Sequence, residues 1–276
     1  MAKILDIAQE IAETDTKKAA ILALQTENIS TIPLSVLARQ KEKLEAIERS
    51  QLTPLAQRVR DYLKQKHGEI NQVLSDKNAQ EKITAEGYSR YLIQAWYCSS
   101  YTPQLQVEFS QRLTQYLEST NGSKFERGRK FIRMVDSEID EETGHEIWVL
   151  QDLQQLGIQT FDKVAHVFEE SKALISTQFD RLNRLNFIGF LGYSSYLEFL
   201  LAKHAAFKLE LLSQQGIPRE AQTFLYNHYV VDQHHAAEQI ELFNFLIDSE
   251  ENVTEVIENI NIVHLLYKGL LARAFS

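Results

Sequence analysis

A chain of 276 residues is long enough to bury a sizeable core, in one large domain or in a domain with an extension. Its formal charge of −9 argues against non-specific nucleic-acid binding, and a single cysteine, Cys98, excludes an internal disulfide and any Cys-based zinc or iron–sulfur cluster. With only 10 glycines and 4 prolines, and with Ala, Leu, Glu, Gln and Lys dominant, the composition favours an all-helical protein.

Residues 3–27 carry apolar points at Ile4, Ile7, Ile11, Ile21 and Leu24, which predicts one or two amphipathic helices. Asp6, Glu10 and Glu13 stand where a secretory signal would have an apolar core, and no apolar run reaches membrane-spanning length. The expectation is a soluble, cytoplasmic chain without a membrane partner. Thr31-Ile32-Pro33 suits a helix start leading through Leu34, Leu37, Leu44 and Ile47. Thr53-Pro54 suits another, with Leu55, Val59, Leu63 and Ile70. The first 75 or so residues are charged, Gln-rich and thin in aromatics, and read as a helical extension, 1–75, before a denser body, 76–276.

The body opens near Thr84 with a helix that is apolar and aromatic on several faces, through Tyr88, Tyr91, Leu92, Trp96 and Tyr97. Thr102-Pro103 predicts a cap and a new helix running to about Leu117. After Asn121-Gly122 the pattern predicts one long helix from Phe125 past Glu142 and His145 to Leu156-Gly157. Thr160 predicts the cap of a helix containing Phe161, Val164, Val167 and Phe168. Phe187 to Gly192 forms a close-packed entry into a buried helix through Tyr196, Glu198 and Leu200. Gly216-Ile217-Pro218 is a stop and restart, followed by a helix over about 219–248. A last amphipathic helix runs from Val256 through Ile260 and Val263 to Leu270.

The chemistry concentrates at three places. In the helix over 219–248, Asp232 lies about 40° from His228 and His235 about 20° to the other side, so three metal-competent groups share one face; His234 points elsewhere. On the long middle helix Glu138, Glu142 and His145 repeat that spacing, and Glu142-x-x-His145 is a pair used by carboxylate-bridged di-iron bundles. Glu141 and Glu146 fall on other faces and read as solvated. Glu198 stands among apolar residues, where a carboxylate needs a hydrogen-bonding partner or a metal. A mixture of imidazoles and carboxylates suits non-haem iron, with manganese as the alternative.

These residues resemble the haem-oxygenase-like di-iron oxidases and oxygenases, the iron-containing redox enzymes that share the helical fold of TenA and PqqC. The likeness rests on Glu138 or Glu142 with His145, on Glu198, and on His228-x-x-x-Asp232-x-x-His235, and it covers roughly 80–275. It implies a haem-oxygenase-like all-α bundle with two Fe2+ ions, the second held more weakly. It also implies that dioxygen oxidises or cleaves a small organic substrate, with an electron donor as a further partner. His145, His228 and His235 would fix the irons, Glu198 and Asp232 would balance their charge, and Glu142 or Glu138 would bridge or shift. Lys203 and Lys208, one and three turns beyond Glu198, would meet an anionic substrate or take part in the chemistry. Trp96, Tyr97 and Tyr101 serve as core packing or, alternatively, line the pocket or relay electrons. A homodimer is common for the fold. The competing readings are a TenA-like thiaminase with Cys98 as nucleophile, a haem oxygenase with His67 as its axial ligand, and a non-catalytic helical binding protein.

Overall fold

A computed structural model describes residues 51–76, 80–120, 122–162, 165–184 and 186–276. The helices expected over 3–27 and after Pro33 lie outside the described residues, as does Val164. The regular elements among the described residues are all helices, with no strand among them. None of these helices is long and apolar enough to cross a membrane.

Helix α1, Pro54–Ser75, starts where Thr53 Oγ1 accepts from Ala56 N and proline takes the first helical position. Its buried face, Ala56, Val59, Leu63, His67 and Ile70, packs chiefly on the last helix and joins the common core. His67 also fastens α1 to the centre of the bundle, its Nε2–H donating to the Tyr196 carbonyl at 2.9 Å.

Helix α2, Ala85–Glu118, is one continuous element, so the break expected at Thr102-Pro103 does not occur. Pro103 cannot donate to the preceding turn, which costs a helix one rung. The Thr102 hydroxyl, instead of capping a new helix, donates back to the Cys98 carbonyl at 3.1 Å, and Ser100 does the same to Trp96 at 2.7 Å. Packing along α2 by the following elements keeps it running. Tyr88, Leu92, Leu105, Phe109 and Leu113 are buried along it.

The long middle helix is in fact two. Helix α3, Gly122–Glu142, stops and helix α4, His145–Gln155, restarts. Between them Gly144 adopts φ 98°, a left-handed conformation that a side chain would resist. Among the described residues, the helix expected from Thr160 does not form. Phe161 and Asp162 are non-helical, and helix α5, Glu169–Asn183, begins only after Phe168. Gln94 on α2 fixes this segment: its Oε1 accepts from Phe168 N (2.8 Å) and Ser171 Oγ (3.0 Å), and its Nε2 donates to the His166 carbonyl (2.9 Å).

A 3-10 turn, Phe187–Phe190, feeds helix α6, Leu191–Gln214. Gly192 lets α6 cross the last helix closely, since a Cβ there would lie 2.5 Å from the Val256 carbonyl oxygen. Beyond Gly216 and a 3-10 turn at Arg219–Ala221 comes helix α7, Thr223–Leu246, which packs more extensively on α6 than any other described pair. Helix α8, Glu250–Ala274, is capped by Ser249 Oγ, which accepts from Asn252 N, and carries Glu250 and Glu251 in its first turn. Helices α6 and α7 form the most extensive pair; α7 also packs on α3 and α4, α6 on α8, and α2 on α3, α4 and α5.

Burial, with the nearby positive charge of His204 adding to it, pushes the His67 imidazole down to about 3. The ring is neutral when folded and protonated when unfolded between that value and the ordinary 6.5. The unfolded state then binds the extra proton, so stability falls as the pH drops through this window, by about 1.4 kcal/mol per unit. In urea titrations His67→Gln is expected to flatten the acid slope by about that amount. Identical slopes for the two proteins would contradict this account.

Candidate metal centre

Three elements bring the donors together. Glu138, Glu141 and Glu142 come from the last turns of α3, His145 from the first residue of α4, and His228, Asp232 and His235 from the middle of α7; all are buried. Because α7 is regular through this stretch, His228, Asp232 and His235 share a face as the angular arithmetic requires. Glu142 and His145 do not share a helix. The turn at Gly144 redirects the chain between them, and His145 Nδ1 still lies 3.0 Å from Glu142 Oε2.

Two groups of donors could each hold an ion: Glu142 with His145 and His228, and Glu142 with Asp232 and His235. Within each, the ligand atoms all lie within 4.8 Å of one another. Glu142 belongs to both, its Oε2 towards His145 and its Oε1 3.5 Å from His235 Nδ1, which is in turn 3.6 Å from Asp232 Oδ1. Neither Glu138 nor Glu198 belongs to either group.

Hydrogen bonding specifies the imidazoles. His228 Nδ1 lies 2.9 Å from the Phe224 carbonyl, which can only accept. The ring proton therefore sits on Nδ1, and Nε2 presents its lone pair. His145 stacks on Trp148 at 3.9 Å between ring centroids and meets His228 edge-on at 4.8 Å. Asp152, at the far end of α4, joins that helix to the start of α7: its two oxygens accept from Thr223 N and Phe224 N, each at 2.9 Å. This contact holds the segment carrying His145 in register with the segment carrying His228.

The charge balance is set by burial and by the opposing carboxylates and imidazoles of the cluster. Burial raises Glu142, but His145, His235 and His228 outweigh it and hold the carboxylate at about 2. Burial pushes the Glu138 and Glu198 carboxyls well above their usual range, and the negative groups around them add to it. Asp232 is raised by burial against the opposing pull of His235 and His228. His228 is lowered by burial, whereas Asp232, Glu141, Glu138 and Glu142 overcome burial to raise His235.

Hydrogen bonds leave much of this set unsatisfied. Glu138 Oε1, both nitrogens of His145, Glu198 Oε2, Asp232 Oδ2 and His235 Nδ1 are buried without a hydrogen-bond partner. Each such atom costs about 1–3 kcal/mol in an ordinary core. Gln106 and Gln239 donate to the other oxygens of Glu138 (3.4 Å) and Glu198 (3.3 Å). Two donors that bind one ion at about 2.1 Å and at right angles are themselves about 3 Å apart, the His145–Glu142 separation. A nitrogen- and oxygen-binding divalent cation therefore fits the residues present.

A cavity of about 100 Å³ opens against these donors, with Glu142, Glu198, His228 and Asp232 on one wall and apolar residues such as Leu174, Phe190 and Leu197 on others. Trp96, Tyr97 and Tyr101 do not line it; Trp96 packs edge-on against Phe161, and Tyr97 against Tyr101. Lys203 is exposed, and Lys208 lines a separate cavity, so neither stands at the donors. His67, on α1, donates instead to the Tyr196 carbonyl.

Two residues escape the sequence reading. Glu141, expected in solvent, is buried, and its Oε2 accepts from His235 Nε2 at 3.1 Å. Asp152 had a signal that went unused: it stands seven residues after His145 and thus on the same helical face.

A family model described as iron-containing redox enzyme matches residues 89–267. Among solved structures, a domain of unknown function with a heme oxygenase-like fold from Shewanella denitrificans OS217 aligns with a TM-score of 0.62 at 18% identity. That alignment covers 77% of this chain and 90% of the other. A TenA homolog from Pseudomonas syringae pv. tomato DC3000 aligns with a TM-score of 0.63 at 14% identity, over 81% and 93% of the two chains. The fold is thus the haem-oxygenase-like all-α bundle. No curated protein matches the sequence.

Because one carboxylate serves both groups, single substitutions should sort into two classes. After anaerobic loading with excess ferrous iron, the wild type is expected to hold about two ions per chain. His145→Ala and His235→Ala should each keep about one, and Glu142→Gln should lose most of both. Metal analysis of variants whose helicity is unchanged checks this; a Glu142→Gln protein with the wild-type content would contradict it.

Proposed function

Since the chain belongs to the family of iron-containing redox enzymes, we propose that it is a non-haem di-iron oxidase or oxygenase acting on a small organic substrate. The observation that carries this reading is Glu142, a buried carboxylate common to two adjoining sets of imidazole and carboxylate donors. His145 and His228 would hold one ion with Glu142, and Asp232 and His235 the other. Glu138 and Glu198, which feel the charges of this set and of each other, would supply further carboxylate oxygens. The mixed donors favour iron, with manganese as the alternative. Bound ferrous ions would supply the electrons and the activation of dioxygen.

The remaining work falls to the chain itself. The cavity beside Glu142, Glu198, His228 and Asp232 would seat the substrate against the donors and keep water from it. Glu138 and Glu198, whose raised carboxyls retain protons to higher pH, would release them as cations bind. Glu141 on His235 and the Phe224 carbonyl on His228 would fix the two rings.

One observation favours a second reading: Cys98 lines the same cavity, as a TenA-like nucleophile would require. Burial pushes its thiol up to about 12, which leaves almost no thiolate near neutrality. The metal reading therefore takes precedence.

Oxygen uptake separates the two. Protein loaded anaerobically with ferrous iron is expected to consume dioxygen on exposure to air, with Cys98→Ala unaffected and Asp232→Ala reduced by about tenfold or more. Metal-independent cleavage of thiamine that Cys98→Ala abolishes would replace this proposal with the second reading.

A further inference from the structure

Three turns beyond Glu198, helix α6 presents Lys208 to a second cavity of about 40 Å³. Its walls are almost wholly apolar, with Leu74 from α1, Leu211 and Leu212 from α6, Leu225 from α7 and Leu271 from α8. Tyr91 and Tyr267 line this cavity and the one at the metal donors, and so form the wall between the two.

The Lys208 amine is buried there without a hydrogen bond, and the nearest aromatic face is that of Tyr267, its ring centroid 5.9 Å from Nζ. The other charged or titratable side chains that line or act on this neighbourhood are His67 on α1, His204 and Lys203 on α6, and the phenols of Tyr88, Tyr91 and Tyr267. All are cationic or neutral, and each imidazole is held down partly by Lys208 itself. Burial alone brings the amine down to about 8, with no carboxylate pulling the other way. Near neutrality it keeps most of its charge in an apolar chamber, a costly state that an anion would relieve.

We propose that this second cavity binds a short-chain monocarboxylic acid, its carboxylate on Lys208 Nζ and its hydrocarbon part among Leu74, Leu211, Leu212 and Leu271. A single amine matches one negative charge. A phosphate would need the fork of donors or the helix N-terminus that such groups use, and neither lines the chamber. The volume limits the hydrocarbon part to a few carbons. The sequence suggests Lys208 as a partner for an anionic substrate; the structure sets that partnership behind the Tyr91–Tyr267 wall, away from the metal donors. The inference is independent of the metal reading.

Calorimetric titration of the metal-free, full-length protein with acetate, the acid whose size the chamber admits, tests it. One site is expected at neutral pH, weakened at least about tenfold in Lys208→Met. Affinity should fall similarly about two pH units above the amine's value of about 8, where the ammonium is lost and the carboxylate is unchanged. Leu212→Trp, which fills the chamber and leaves the amine in place, should also abolish binding. Lys208→Met is expected to fold with an unchanged or higher Tm, because it removes an unpaired buried charge. Absence of binding at millimolar acetate would overturn the proposal. So would binding that survives Lys208→Met or Leu212→Trp, including binding that His228→Ala removes, which would put the acid in the metal cavity instead.

Discussion

Glu142 is a carboxylate kept ionised in the interior by the three imidazoles around it, and the rest of the architecture follows from accommodating it. A buried carboxylate is tolerated only with compensating charge or hydrogen bonds. Here the compensation comes from His145, His228 and His235, drawn from two different helices. His145 and His235, with Asp232, Glu138 and Glu198 nearby, leave a set of nitrogen and oxygen atoms without a hydrogen-bond partner. Such a concentration of unmet nitrogen and oxygen atoms in one place is what a cluster able to coordinate a metal ion requires.

The fold serves that constraint in two ways. The left-handed turn at Gly144 lets the chain deliver Glu142 and His145 from separate helices and still keep them 3.0 Å apart. The Asp152 carboxylate then ties α4 to the N-terminus of α7, so that His145 and His228 are fixed by one rigid connection. On the open side, α2 runs unbroken past Pro103 and provides Cys98, Ser99, Thr102 and Gln106 to the cavity wall. Oxidative chemistry on a small molecule needs both features, a defined donor set and a chamber beside it that limits access of water.

Legibility in the sequence tracked local regularity. On α7 the helix is unbroken, so counting residues from His228 to Asp232 and His235 was enough to place them on one face. The same counting over Glu138, Glu142 and His145 assumed a continuous helix; the residues do meet, but through a turn at Gly144 that periodicity does not reveal. Glu141 was misassigned to solvent for a related reason, since the helix that covers it, α7, is distant in the chain and contributes His235. Thr102-Pro103 carries the composition of a cap, yet the hydroxyl donates backwards and α2, packed by neighbouring helices, continues through it. The segment before Glu169 takes its course from Gln94, a long-range contact without a local signature. Both cavities, and the separation of Lys208 from the donors, exist only once the helices are packed.

The most direct test of the central claim is anomalous scattering at the iron edge from crystals of protein loaded anaerobically with ferrous iron. The account predicts one peak beside Glu142, His145 and His228 and a second beside Glu142, Asp232 and His235, with the Glu142 carboxylate between them. Iron bound elsewhere, or none bound while the buried side chains keep their positions, would contradict it.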